Sequence, residues 1–196
     1  AEPFDQAKWI KQFREEARAL LAEIVAATGA EAIAELGLSA IFDIGSPAAA
    51  RFIERRAQRF AVEVNETTWK QLTDSLAEGL EAGETMPALE ARVEAIMQER
   101  IRSSAEAIAR TEVSGAMNGG TLVAWHDAGV VEKKQWLAAL DERVRDTHYE
   151  AHGQTVGLDE EFQVGSGSGQ APGQIGLPEE DINCRCAMIP IVGTEE

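Results

Sequence analysis

From Trp9 to Gly129 the apolar residues of this chain recur at three- and four-residue steps, and beyond Gly129 they stop doing so. That change of period constrains the fold more than any other feature of the sequence. A recurrence of three to four lines one face of an α-helix, whereas alternation suits a strand with one buried face. The chain therefore reads as α+β: a mostly helical N-terminal bundle or array over residues 1–129, then a small C-terminal α+β unit over residues 130–196. Hydrophobic residues make up 44% and aromatics 6%, with alanine recurring through the first two thirds, a composition that suits packed helices around a core.

Trp9, Ile10, Phe13, Ala17, Leu20, Leu21 and Ile24 mark one face of a helix from about Asp5 to Ala27, with Gly29 as its C-terminal cap and a short helical piece around Glu31–Leu36. Ser46-Pro47 starts a second helix, with Ser as cap, Pro in the first turn, and Phe52, Ile53 and Phe60 on its apolar side. Another is expected to begin near Glu66-Thr67-Thr68, to carry Trp69, Leu72 and Leu76, and to end before Gly83. Thr85-Met86-Pro87 opens the next, with Leu89 and Val93. A further helix spans about Ser103 to Ala116, Gly119-Gly120 is expected to weaken or break it, and a helical segment is expected to resume through Trp125 to Ala128 before Gly129.

Past Gly129, Val130–Leu140 suits a strand. Asp141 reads as the cap of a short helix over Glu142–Ala151 that ends at Gly153. Gln154–Phe162 looks like a hairpin or extended arm. The stretch Gly165–Gly173 is expected to be a loop with no capacity to pack, and it lacks the Lys-Ser/Thr ending of a phosphate-cradling loop. Asn183–Val192 closes the chain as a strand whose alternation puts Cys184 and Cys186 on one face.

With 34 acidic against 18 basic side chains the formal charge is −16, so the surface repels a phosphate backbone and argues against DNA contact over most of its area. The run Arg51, Arg55, Arg56, Arg59 is the exception and reads as a solvated helix face. No stretch is long and apolar enough for a membrane span, and no secretory signal opens the chain. Residue 1 is Ala and not Met, as expected of a processed product. Cys184 and Cys186 are one residue apart, where a disulfide would be strained, so they read as reduced thiols, packed or metal-bound.

If Asp141 caps a helix, Arg145, His148 and His152 share one face of it. Brought against Cys184 and Cys186, the two imidazoles and two thiolates would suit tetrahedral zinc. The other reading has His148 hydrogen-bonded to a carboxylate or backbone group and the cysteines as small core residues. Glu112, Asp141, Arg143 and Arg145 invite carboxylate–guanidinium pairing, and Arg110-Thr111-Glu112 is placed to lock the helical part onto the α+β unit. Arg185 falls on the opposite face from the cysteines and meets solvent or another acid. His148, Asp141 and Cys184 could be arranged as base, orienter and nucleophile, but no catalytic motif is complete and no catalytic residue is assigned.

Several features in order carry a resemblance. They are Ile108-Ala-Arg110-Thr-Glu112, Asn118-Gly-Gly, Trp136 four residues before Leu140-Asp141, Asp141-Glu-Arg143-Val-Arg145-Asp-Thr-His148, Gly153-Gln-Thr-Val156, Phe162 and Asn183-Cys184-Arg-Cys186. In this order they resemble the phage Mu F-like head-morphogenesis family from about Ser46 to Val192, with residues 46–129 as the helical part of the domain. The family pattern more often has Asp or another residue where this chain has His152. The resemblance implies a minor head protein and not an enzyme, made in the host cytoplasm and built in low copy into the virion, in the head interior or at the portal. It implies the portal protein and other phage head proteins as partners, a part in genome packaging or delivery, and no cofactor, zinc apart. A fusion behind a portal protein, as in some phages, would fit the absent Met. Two other classes stay open: a metal-binding or catalytic (hydrolase or transferase) phage-encoded domain, and a DNA-contacting internal head protein.

Overall fold

A helix starts readily where proline fills its first position and the preceding residue lends a side-chain oxygen. Both conditions hold at Ser46-Pro47, where the Ala49 N–H donates to Ser46 Oγ at 3.2 Å. The computed structural model describes residues 6–193. Some side chains within the long helices lie outside the described set, among them Trp9, Phe13, Trp69, Leu72, Val93 and Ile108, as does the backbone of Asp5.

Three helices come first: α1 (Gln6–Glu35), α2 (Pro47–Glu81) and α3 (Met86–Ala128). Each is longer than the sequence reading expects. α1 runs through Gly29 and stops only near Gly37, whose φ is +70°. Gly29 lies in the helix because the Phe42 ring packs where its side chain would be, 2.4 Å from an added Cβ. α2 does not restart near Glu66. No glycine or proline interrupts Pro47–Glu78, and the modest propensity cost of Asn65, Thr67 and Thr68 does not break a helix held at both ends.

α3 runs through Gly119-Gly120 without a break. A Cβ on Gly119 would sit 2.0 Å from the Phe52 ring, and one on Gly120 would sit 2.5 Å from Thr28 Oγ1. At these two glycines Phe52 of α2 and Thr28 and Val25 of α1 pack directly against the α3 backbone. Leu21 and Val25 of α1, Phe52, Ile53 and Ala57 of α2, and Ala116 of α3 form the core among the three helices.

Gly129 ends α3 in the left-handed conformation, with φ 68° and its N–H on Trp125 O. There follow β1 (Val131–Leu137), α4 (Asp146–Ala151), β2 (Thr155–Gly157), β3 (Phe162–Val164), β4 (Gly167–Gly169), α5 (Pro178–Asp181) and β5 (Ala187–Val192). β1 is the centre of an antiparallel sheet in the order β2-β1-β5, and β3 and β4 pair as a separate hairpin. The fold is thus α+β, helical first and sheet second. A register irregularity between Val131 and Lys133 shifts the phase of β1, so that Val131, Lys134 and Trp136 are all buried.

One hydrophobic core crosses residue 129. Ala32, Ile33, Leu122 and Trp125 from the helices pack with Trp136, Phe162, Val164, Cys184 and Met188. The stretch Gly165–Gly173 also packs, against expectation: it contains β4, and Gly169, Ala171, Pro172 and Gly173 are buried. Its small residues permit this. A Cβ on Gly173 would lie 3.1 Å from the Gly115 Cα, so the loop backbone rests directly on α3. Among the described residues no helix is long and apolar enough to cross a membrane.

Candidate functional site

The short helix α4 turns His148 inward, where the ring stands edge-on to Trp136 at a centroid distance of 5.8 Å. Trp136 in turn meets Phe162 edge-on at 5.2 Å. The imidazole is 3% exposed and faces different chemistry on its two nitrogens. Nδ1 lies 3.2 Å from Cys186 Sγ and 3.9 Å from Cys184 Sγ. Nε2 lies 3.0 Å from Glu180 Oε2, and that carboxylate, itself buried, also accepts the Thr147 hydroxyl at 2.8 Å. One donor atom from each of His148, Cys184 and Cys186 falls within 4.8 Å of the others.

The cysteine segment reaches this place by clamps from α3. Asn183 adopts φ 58°, and its N–H donates to Thr111 Oγ1 at 2.9 Å. Asn118 Nδ2 donates to Cys186 O at 3.0 Å and to Ser114 O at 3.1 Å. The cysteines therefore precede β5 and are not part of a continuous strand from Asn183. Both thiols are nonetheless buried on one side, as the alternation predicts.

The electrostatics follow from this packing. The Cys186 thiol is pulled down to about 7 by the hydrogen bond from Cys184, against the opposing effect of burial. The Cys184 thiol is pushed up, by that same hydrogen bond and then by burial. The pair thus holds one negative charge more readily than two. Burial depresses the His148 imidazole, but its hydrogen bond and attraction to Cys184, with Glu180 behind, leave it raised overall.

Over this cluster opens a cleft of about 200 Å³ lined by four arginines, Arg110, Arg143, Arg145 and Arg185, with His148, Asn183 and Cys186 also on its wall. Arg145 donates to the carbonyls of Glu180 and Ile182 and so ties α4 to the end of α5. Arg185 makes a two-point pair with Asp141, its Nη2 2.6 Å from Oδ1. That bond and the Arg143 N–H on Oδ1 hold the Asp141 carboxyl well below the usual range.

Not all of the expected placements coincide with the structure. Asp141 does not cap a helix: its Oδ1 turns the backbone at Arg143, both oxygens serve Arg185, and α4 starts at Asp146. His152 lies outside the cluster. The helix ends at Ala151, so His152 leaves the helical path, is exposed, and accepts the Ala138 N–H on Nδ1 at 3.2 Å. The carboxylate at His148 is Glu180 rather than Asp141. Glu112 pairs with Arg56, Nε to Oε2 2.9 Å, and Thr111 is the member of its motif that docks the cysteine segment. The basic run divides accordingly: Arg51 and Arg55 are exposed, Arg56 is buried, and Arg59 reaches Asp181 at 3.8 Å.

Glu180 and Arg56 hold buried places that the sequence expectations do not include. A signal for Glu180 exists in Pro178-Glu-Glu-Asp181, a proline-led, acidic first turn that marks a short helix within an otherwise irregular segment. For Arg56 none is visible, because its neighbours Arg55 and Arg59 give it the look of a solvated face.

The profile of the family described as Phage Mu protein F like protein matches residues 70–189, a span that contains His148, Glu180, Cys184 and Cys186. Over 150 residues the chain is 31% identical to the NAD(+)–arginine ADP-ribosyltransferase EFV of Enterococcus faecalis, covering 75% of this chain and 30% of that protein. Over 124 residues it is 36% identical to Minor head protein GP7 of Bacillus phage SPP1, covering 62% of this chain and 40% of that one. It is also 26% identical over 150 residues to the uncharacterized protein YqbB of Bacillus subtilis, covering 74% and 48%. The chain thus spans less than half the length of each of these relatives. No solved structure matches it.

Proposed function

Because the chain belongs to the phage Mu protein F-like family, we propose that it is a bacteriophage minor head protein, acting in head morphogenesis next to the portal and in genome packaging or delivery. The observation that carries this is the family match over residues 70–189, together with the relation to a protein named as a minor head protein. Its role is structural rather than catalytic. The transferase name belongs to a relative of which 30% is covered, and it brings no reaction to this chain. Its partners are the portal protein and other head proteins. It is made in the host cytoplasm and ends in the virion, in the head interior or at the portal, with the helical residues 1–129 reaching along a partner and residues 130–196 anchoring them.

The test is mass spectrometry of purified virions from the parent phage, alongside co-purification of the full chain with its portal protein. Peptides of this chain at low copy relative to the major capsid protein, and capture by portal, are the expected results. Virions without it would overturn the head-protein reading, and virions with it but no capture would overturn the portal assignment.

A second reading concerns the site and rests on the three donor atoms within 4.8 Å. Two thiolates and an imidazole suit zinc among the common ions, and a staple there would fasten α4 to the cysteine segment. Elemental analysis of metal per chain, lost on Cys184→Ser or Cys186→Ser, tests it.

A further inference from the structure

We propose that His148 Nδ1, Cys184 Sγ and Cys186 Sγ form a three-ligand zinc centre whose fourth position opens on the arginine-lined cleft and accepts a small oxyanion. This rests on the second reading above and departs from a closed four-ligand staple.

The donor spacing fits. In a tetrahedral site with ordinary Zn–S and Zn–N lengths, neighbouring donors lie roughly 3.5–3.8 Å apart. The observed Nδ1–Sγ separations of 3.2 and 3.9 Å bracket that range. Glu180 supplies what a ligating histidine requires on its far side. A carboxylate oxygen lies 3.0 Å from Nε2, at ion-pair distance but without hydrogen-bond geometry, and a proton placed on Nε2 toward it leaves the Nδ1 lone pair facing the thiols. Thr147 donates to the same carboxylate oxygen and fixes its orientation. Ion entry balances as one Zn²⁺ taken up and two thiol protons released, giving a neutral two-thiolate centre.

The open position follows from what is missing beside the three. Among the described residues no fourth His, Cys, Asp or Glu joins the group, and His152, the expected fourth ligand, is spent on the Ala138 N–H. His148 and Cys186 both line the cleft, so an ion bound to them sits at its wall. Asn183 lines the same cleft, and its Oδ1 is buried with no hydrogen-bond partner in the structure, an acceptor suited to a metal-bound water. Four arginines drawn from three segments of a chain with formal charge −16, one of them paired with Asp141, give the cleft wall a positive lining opposite in sign to the protein's net charge. Arg145 and Arg185 also hold backbone carbonyls and Asp141, and the positive lining they share with Arg110 and Arg143 beside an open coordination position suits an anion.

The experiment is cobalt(II) substitution of the full chain, read by absorption before and after adding acetate or inorganic phosphate. Expected are about one cobalt per chain with thiolate charge-transfer and tetrahedral bands, and a saturable shift of the visible bands on adding anion. Acetate alone shifting them would mark a carboxylate ligand, and phosphate alone a phosphoryl one. Glu180→Gln is expected to weaken metal binding about 10- to 100-fold, and His152→Ala to leave the spectrum unchanged. A tetrahedral thiolate spectrum indifferent to both anions would overturn the open position while sparing the staple, with Asn183 Oδ1 as the candidate fourth ligand. No cobalt bound would overturn both.

Discussion

Arg56 and Glu112 form an ion pair across α2 and α3, with Nε 2.9 Å from Oε2 and the Arg56 side chain 3% exposed. The same guanidinium donates to Gly173 O at 3.3 Å and to Thr111 O at 3.1 Å. One side chain thus joins two helices and the glycine-rich loop, and burial lowers its pKa against the attraction of Glu112. Removing one partner of a buried pair strands the other charge. Arg56→Ala is expected to cost about 3–5 kcal/mol, seen as a lower midpoint of urea unfolding. Arg56→Met with Glu112→Gln is expected to be milder than Arg56→Met alone, because the stranded charge goes with its partner. A double variant as unstable as the single one would mean that the ion pair is incidental to the joint.

Gly119 tests whether the mid-helix glycines are contacts or weaknesses. From helix propensity alone, Gly119→Ala should stabilise by about 1 kcal/mol. The Phe52 ring stands 2.0 to 2.8 Å from where the new Cβ would be. The expected outcome is therefore a loss of about 1–3 kcal/mol through overpacking, relieved when Phe52→Leu is added. Simple additivity of the two changes would contradict the contact.

What the sequence made legible was whatever local chemistry decides. Ser46-Pro47 and Gly129 bound helices as expected, because a cap oxygen, a fixed proline φ and a left-handed glycine act within a few residues. The burial of both cysteines on one side was likewise readable from their spacing. The mid-helix places of Gly29 and Gly119 are not legible, because a glycine demanded by a neighbouring aromatic ring looks, in one dimension, the same as one that ends a helix. Glu180 was invisible as a partner of His148 for a similar reason: 32 residues separate them, and only the packing of α5 brings them to 3.0 Å. Lys134 lies inside the expected strand Val130–Leu140, but its burial is not legible, since the irregularity that turns it inward leaves no mark in the alternation.

Asp181 holds the loop that rests on α3. Its Oδ1 accepts the Ile175 N–H and its Oδ2 the Gly176 N–H, each at 2.8 Å, and Arg59 approaches from α2. An asparagine keeps one acceptor and loses the charge, so one loop amide is left without its partner. Asp181→Asn is expected to cost about 1–3 kcal/mol and to raise hydrogen exchange at Ile175 and Gly176. Exchange unchanged at both amides would show that the loop is held elsewhere.

Lys134 gives stability a pH dependence of known sign. Its side chain is fully buried, its Nζ donates to Gln170 Oε1 at 2.7 Å and lies 5.4 Å from the Phe162 ring centre, and desolvation brings its pKa from 10.5 down to about 8 despite the attraction of Asp159, Glu161 and Glu160. Above about pH 8 the folded chain has released this proton, while an unfolded lysine keeps it until about 10.5. The unfolded state binds more protons across that window, so the Lys134 contribution to stability rises with pH there and is flat below it. Other groups titrate in the same range, and the informative quantity is the wild-type stability minus that of Lys134→Met. This difference is expected to be lowest below pH 8 and to climb between pH 8 and pH 10.5, measured by urea unfolding at fixed ionic strength. A difference that stays level over the window would mean that Lys134 keeps its proton in the folded state, with Gln170 and the nearby acids offsetting burial.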